Sequence, residues 1–237
     1  MYVNHKAKNW VSRENVDPEV RPFHQRLPDF AETPLRPLPL DCCKSLGVRQ
    51  ICVKDESTRC GLPAFKILGA SWGAYRAIAD HLKCSKSASL DHIRQHAREA
   101  DICLYTATDG NHGRAVARFA SVLGIQASVY VPRIMHETTK HLISQEGALV
   151  TVVDGDYDDA VRTAARKPVE CSGILVQDTA WPGYEEIPRV SIGSTMTCLS
   201  INYRTLTYVT TASLYSCRQL LTAHGVVDCR WLLYHDG

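Results

Sequence analysis

The chain has 237 residues, of which 45% are hydrophobic and 22% charged, and its formal net charge is +2. That balance is ordinary for a globular protein and offers no basis for nucleic-acid binding by bulk charge; no run approaches the roughly 18 apolar residues of a membrane span. The opening residues, with Lys6, Lys8, Arg13 and Glu14, lack the apolar centre of a secretory signal, and ten cysteines are scattered without a C-x-x-C pair, so the expected setting is reducing and cytoplasmic. Adjacent Cys42 and Cys43 have no second ligand pair at zinc-like spacing, and no metal is expected.

In chain order, Pro18, Pro22, Pro28, Pro34, Pro37 and Pro39 deny the first 40 residues long helices and predict an extended arm lying on a surface. A short apolar run at 51–53 predicts a strand. The polar turn 54–61 then leads into a helix that begins near Lys66 and carries Ile67, Leu68, Tyr75, Ile78, Ala79 and Leu82 at helical spacing. From Asp101 the pattern alternates: strands at 102–106, 127–131, 148–153 and 174–177, with helices at 114–123, 137–145 and 157–166 between them. Gly124 and Gly147 are placed to close two of the helices. Short apolar runs alternating with helices define an α/β fold around a parallel sheet covered on both faces. The stretch 191–237, rich in Thr, Ser, Tyr and Cys, sustains neither period.

Two segments carry chemistry. The first, K-D-E-S-T-R-C-G-L-P-A-F-K at 54–66, delivers Lys66 to a helix start between Phe65 and Ile67, where burial can favour its neutral amine. Taken alone, a lysine at a helix start is more often a solvated surface group. The second, T-D-G-N-H-G at 108–113, joins a strand to a helix, where backbone N–H groups favour an anion and glycines allow close approach. Thr108, Gly110 and His112 are placed to hold a substrate carboxylate, and Asn111 to meet a ring hydroxyl; equally, Asp109, Gly110 and Asn111 can simply form a turn and cap. Asp109 would repel a substrate carboxylate, and one reason for it to be there is as a base that takes the α-proton. Asp178 follows a strand, at the end where open α/β sheets bind ligands, although such residues are commonly turn formers.

Together with V-Q-D-T-A-W-x-G-Y-x-x-I-P at 176–188, these strings resemble diaminopropionate ammonia-lyase, within the fold type II, tryptophan synthase β-like pyridoxal phosphate enzymes. The resemblance runs from about residue 30 to 188. It implies pyridoxal 5'-phosphate as cofactor and β-elimination of 2,3-diaminopropionate, a small amino acid, to pyruvate and ammonia. Lys66 matches the Schiff-base lysine, with Phe65 beside it, and Asn111 the asparagine at the cofactor ring. Asp109 and Asp178 match carboxylates that act as α-proton bases toward opposite enantiomers. Serine and threonine dehydratases share the lysine and the G-N-H turn but carry a small residue at the position of Asp109, and a relative of theirs is the alternative.

Pro63 stands where the family commonly has asparagine. The implied organisation is an N-terminal arm and partial large domain at 1–84, a complete small parallel αβα lobe at 85–188, and a divergent tail at 189–237. The family's phosphate-cradling loop is not recognisable after Pro188, so the large domain is expected to be incomplete and the family's homodimer and activity impaired, down to a non-catalytic fragment. GTAAGT, a common intron start, translates in frame as Val-Ser, the residues at 190 and 191, and on that expectation the tail is translated intron.

Overall fold

The computed structural model describes residues 17–45, 52–170, 173–199 and 209–212. In chain order the elements are α1 (Val20–Gln25), β1 (Leu35–Pro37), α2 (Leu40–Ser45), β2 (Cys52–Asp55), α3 (Lys66–His81), α4 (Leu90–Glu99), β3 (Cys103–Ala107) and α5 (Asn111–Leu123). They continue with β4 (Gln126–Pro132), α6 (Glu137–Gln145), β5 (Leu149–Val153), α7 (Tyr157–Glu170), β6 (Gly173–Leu175), α8 (Glu186–Leu199) and β7 (Val209–Ala212). The described residues fall into two compact units, one holding 29–45, 52–65, 199 and 209–212, the other 17–28, 66–170 and 173–198.

The second unit contains a four-stranded parallel sheet in the order β5-β4-β3-β6. The alternation expected over 102–177 is present throughout; α5 begins earlier, at Asn111, and α7 runs on through Pro168 to Glu170. Central β3 is buried from Leu104 to Ala107, as a strand covered on both faces must be, and α5 turns Ala115, Val116, Phe119, Ala120 and Leu123 inward. Gly124 closes α5 in the left-handed conformation at φ 67°, where a side chain is disfavoured. β5 is an edge strand, with Leu149 64% and Val152 48% exposed.

Three segments depart from the periodicity. The proline-rich beginning is not an extended arm throughout: α1 forms with Pro22 in its first turn, where a missing N–H is tolerated, and buries Phe23 and His24. Phe23 packs on Trp72 and Tyr75 at centroid distances of 5.1 and 4.8 Å, and His24 Nε2 donates to the Leu68 carbonyl at 2.8 Å. Helix α4 is amphipathic, burying Leu90, Ile93 and Ala97, and is capped by Ser89, whose hydroxyl accepts from the His92 N–H. Helix α8 runs unbroken past Pro188 to Leu199. Small residues explain its seat: a Cβ on Gly69 would lie 2.8 Å from Thr195 Oγ1 and 2.9 Å from the Ser191 carbonyl oxygen, and one on Gly73 would collide with Ser191 Oγ. Residues 200–208 and 213–237 of the tail lie outside the described residues.

In the first unit β2 pairs antiparallel with β1 and parallel with β7. The K-D-E-S-T-R segment that follows is a buried ionic network. Arg59, 1% exposed, donates from Nε and Nη2 to Glu56, 0% exposed, at 2.5 and 2.7 Å, and from Nη1 to the Ala31 carbonyl at 3.0 Å. Thr33 Oγ1 bridges both partners, and Lys54 Nζ donates to the Thr33 carbonyl at 2.6 Å. The Arg59 and Glu56 charges match each other, as buried charges must, and Lys54 is held by a hydrogen bond to a main-chain carbonyl.

Gly73→Ala separates two effects of opposite sign. In an unpacked helix it would stabilise by about 1 kcal/mol; against the tight α3 and α8 contact it should destabilise by about 1–2 kcal/mol net. A lowered urea midpoint at unchanged slope is the expected result, and a raised midpoint would show that α8 is not seated there.

Candidate active site

The carboxyl ends of β3 and β6 meet the first turn of α3. Lys66 opens that helix, and its Nζ donates to Asp178 Oδ2 at 2.7 Å, the two side chains being 38% and 24% exposed. The amine is therefore half-buried and held by a carboxylate, not enclosed by its apolar neighbours. His112, in the first turn of α5, donates from Nε2 to the Val176 carbonyl at 2.9 Å, which points Nδ1 toward Asp178 Oδ2, 3.6 Å away. Burial pushes the Asp178 carboxyl up, but the nearby charges of His112 and Lys66 and the hydrogen bond from Lys66 outweigh it and bring the pKa down to about 2.

The turn after β3 is stitched by Thr108, whose Oγ1 accepts from the N–H groups of Gly110 at 2.9 Å and Gly113 at 3.1 Å. Gly113 has no room for a side chain, since a Cβ would collide with Thr108 Cγ2 and lie 2.8 Å from Val129 Cγ1; above Gly110 a Cβ would meet nothing within 4 Å. Asp109 is exposed at the apex, and Gly110 and Asn111 are half-buried. Lys66, His112 and Asp178 thus come together directly, beside the Thr108–Gly110 turn. Thr108 is spent on that turn, and Phe65 is half-buried next to Lys66 in the chain.

Three further residues surround this site, two of them, Gln177 and Tyr184, within the 176–188 motif. Gln177, 1% exposed, accepts through Oε1 from Thr106 Oγ1 and the Ala107 N–H, both at 3.0 Å, and donates from Nε2 to Tyr157 Oη at 2.9 Å. Tyr184 Oη accepts from the Gln177 N–H at 2.8 Å and donates to the Leu175 carbonyl at 2.9 Å. The 176–188 motif already spelled out Gln177 and Tyr184; Tyr157 had no such signal. A cavity of about 360 Å³, lined by Gly73, Arg76, Leu175, Tyr184 and Ile187 among others, includes none of Lys66, His112 and Asp178.

A half-exposed amine beside a carboxylate and an open glycine turn fits the aldehyde end of pyridoxal phosphate. Gly193 and Ser194, the small-residue pair after Pro188, lie inside α8 and form no loop.

Residues 27–187 match the family described as pyridoxal-phosphate dependent enzyme. The chain belongs to that family, with the α/β architecture of the fold type II enzymes. It is 44% identical over 178 residues to the diaminopropionate ammonia-lyase of Salmonella typhimurium, covering 73% of this chain and 44% of that protein. The crystal structure of the Escherichia coli diaminopropionate ammonia-lyase in apo form superposes with a TM-score of 0.69 at 35% identity, covering 76% of this chain and 49% of that one. The same enzyme in complex with an aminoacrylate-PLP azomethine reaction intermediate gives 0.67 at 35% identity, over 76% and 44%. The chain thus spans less than half the length of these relatives. Among the described residues no helix is long and apolar enough to cross a membrane.

Because the Asp178 carboxyl titrates below its ordinary value of 3.8 in the folded chain, it stabilises the fold fully above about pH 4, and that contribution fades as pH falls through about 2. Its size at neutral pH is about 2 kcal/mol. Asp178→Asn should lower the unfolding free energy by about that amount at neutral pH and by roughly half as much near pH 3, measured by urea titration. A loss that does not change with pH would point to packing as its cause.

Proposed function

We propose that this chain carries the Schiff-base half of a lyase that converts 2,3-diaminopropionate and water to pyruvate and ammonia. The observation that carries the reading is the 2.7 Å contact of Lys66 Nζ with Asp178 Oδ2 at the strand ends, with His112 behind it. Bound pyridoxal phosphate supplies an aldehyde for the Lys66 amine and a ring that accepts the electron pair left by the α-proton. Asp178, held between Lys66 Nζ and His112 Nδ1, is placed as a base for α-proton removal. Asp178 Oδ2 takes the proton from one enantiomer, and Asp109, at the apex of the facing turn, takes it from the other. His112 keeps Asp178 oriented, while the Thr108–Gly113 turn presents an open main chain to the substrate carboxylate. The cytoplasmic setting agrees with the unbridged thiols of Cys43, Cys84 and Cys103.

Purified chain given pyridoxal phosphate should develop an absorbance band near the visible, and borohydride should fix the cofactor on the peptide containing Lys66, with neither seen in Lys66→Ala. If wild-type chain shows no band and no label, the reading fails for this chain and a non-catalytic fragment stands in its place. Where the band forms, pyruvate release should be faster from diaminopropionate than from serine or threonine; preference for threonine would move the assignment to the dehydratases. Asp178→Asn and Asp109→Asn should each slow one enantiomer by about 10²-fold or more and spare the other.

A further inference from the structure

Tyr157 opens α7, and no step above uses it. Its phenol oxygen is nevertheless held from two sides. On one side stands Gln177, whose amide cannot be turned around: Oε1 faces the Ala107 N–H, a donor of fixed direction, so Nε2 must face Tyr157, at 2.9 Å. On the other side the Thr179 side chain is hydrogen-bonded to the same oxygen. Gln177 and Thr179 are the residues immediately before and after Asp178.

We infer that Tyr157 is a positioning residue for Asp178: its hydroxyl ties together the side chains flanking that carboxylate and keeps Oδ2 between Lys66 Nζ and His112 Nδ1. Burial pushes the phenol up to about 12, with hydrogen bonds from Thr179 and Gln177 opposing and the charges of Asp178 and Asp109 adding. It therefore keeps its proton at neutral pH and serves as a fixed hydrogen-bonding post, not as a base. A bridge of this kind acts on one carboxylate. Asp109, on the turn after β3, is not flanked by either partner.

The test uses Tyr157→Phe, which keeps the ring and removes the bridge. In the cofactor-free chain, the Asp178 carboxyl carbon is titrated by NMR. The variant should raise its midpoint by about half a pH unit or more, as the contacts with Lys66 and His112 loosen. Thr179→Val, at an exposed position, should move it the same way and stands in if Tyr157→Phe does not fold. Tyr75→Phe removes a phenol that donates to the Lys86 and Ala88 carbonyls, away from Asp178, and should leave the midpoint in place. An unchanged midpoint in both Tyr157→Phe and Thr179→Val, or an equal shift in Tyr75→Phe, overturns the inference.

A kinetic arm rests on the proposed elimination. With cofactor present, Tyr157→Phe should lower kcat about tenfold for the enantiomer that depends on Asp178, and leave the other unchanged. Equal slowing of both enantiomers would also overturn the inference. Pyruvate from neither enantiomer in the wild-type chain would count against the elimination itself, while the titration would still decide the role of Tyr157.

Discussion

Gln177 ties the ends of two parallel strands together, and the chemistry of the molecule hangs from that tie. Its amide oxygen satisfies the N–H of Ala107, the last residue of β3, and its amide nitrogen looks toward α7. Both ends of a nearly inaccessible polar group are thereby paired, which is the condition for burying it at all. One residue beyond Ala107 the Thr108 turn begins, and one residue beyond Gln177 stands Asp178. This amide, together with the His112 bond to the Val176 carbonyl, keeps the two loops in register.

Charge is used in two different ways along the chain. Glu56 and Arg59 are sealed from solvent and match each other's charge, so removing either leaves an uncompensated charge inside, an expensive state that fixes the turn after β2. Lys66 and Asp178 are half-exposed, where an ion pair is worth less and can be exchanged for another partner.

Much of this was legible in the residues. The strands and helices from 102 to 177 follow from hydrophobic alternation, because central strands covered on both faces can hardly be written otherwise. Lys66, Asp109, Asn111, His112 and Asp178 stood out because their residue types carry chemistry at strand ends and helix starts. What escaped notice did so for identifiable reasons. Helix α4 has its Ser89 cap and its Leu90, Ile93 and Ala97 stripe, but a very polar outer face masks them. Helix α8 is held by contacts between small residues of α3 and its own Ser191 and Thr195, and contacts between distant segments leave no period behind. Phe23 and His24 lie among prolines that argued for an extended chain, and tertiary packing on α3 prevails over local preference there. Tyr157 and Gln177 are ordinary residue types whose role exists only once β3, β6 and α7 are side by side.

The border of the four-stranded sheet has a different bearing on the molecule. β5 offers one row of main-chain donors and acceptors away from β4, and beside it Leu149 and Val152 present bare aliphatic surface with no lysine or proline among 149–153. Such a margin is a template on which another extended segment can be zipped by backbone bonding. Handling at high concentration will therefore favour self-association along this rim, and a single lysine introduced on its outward side is the gentlest way to blunt it.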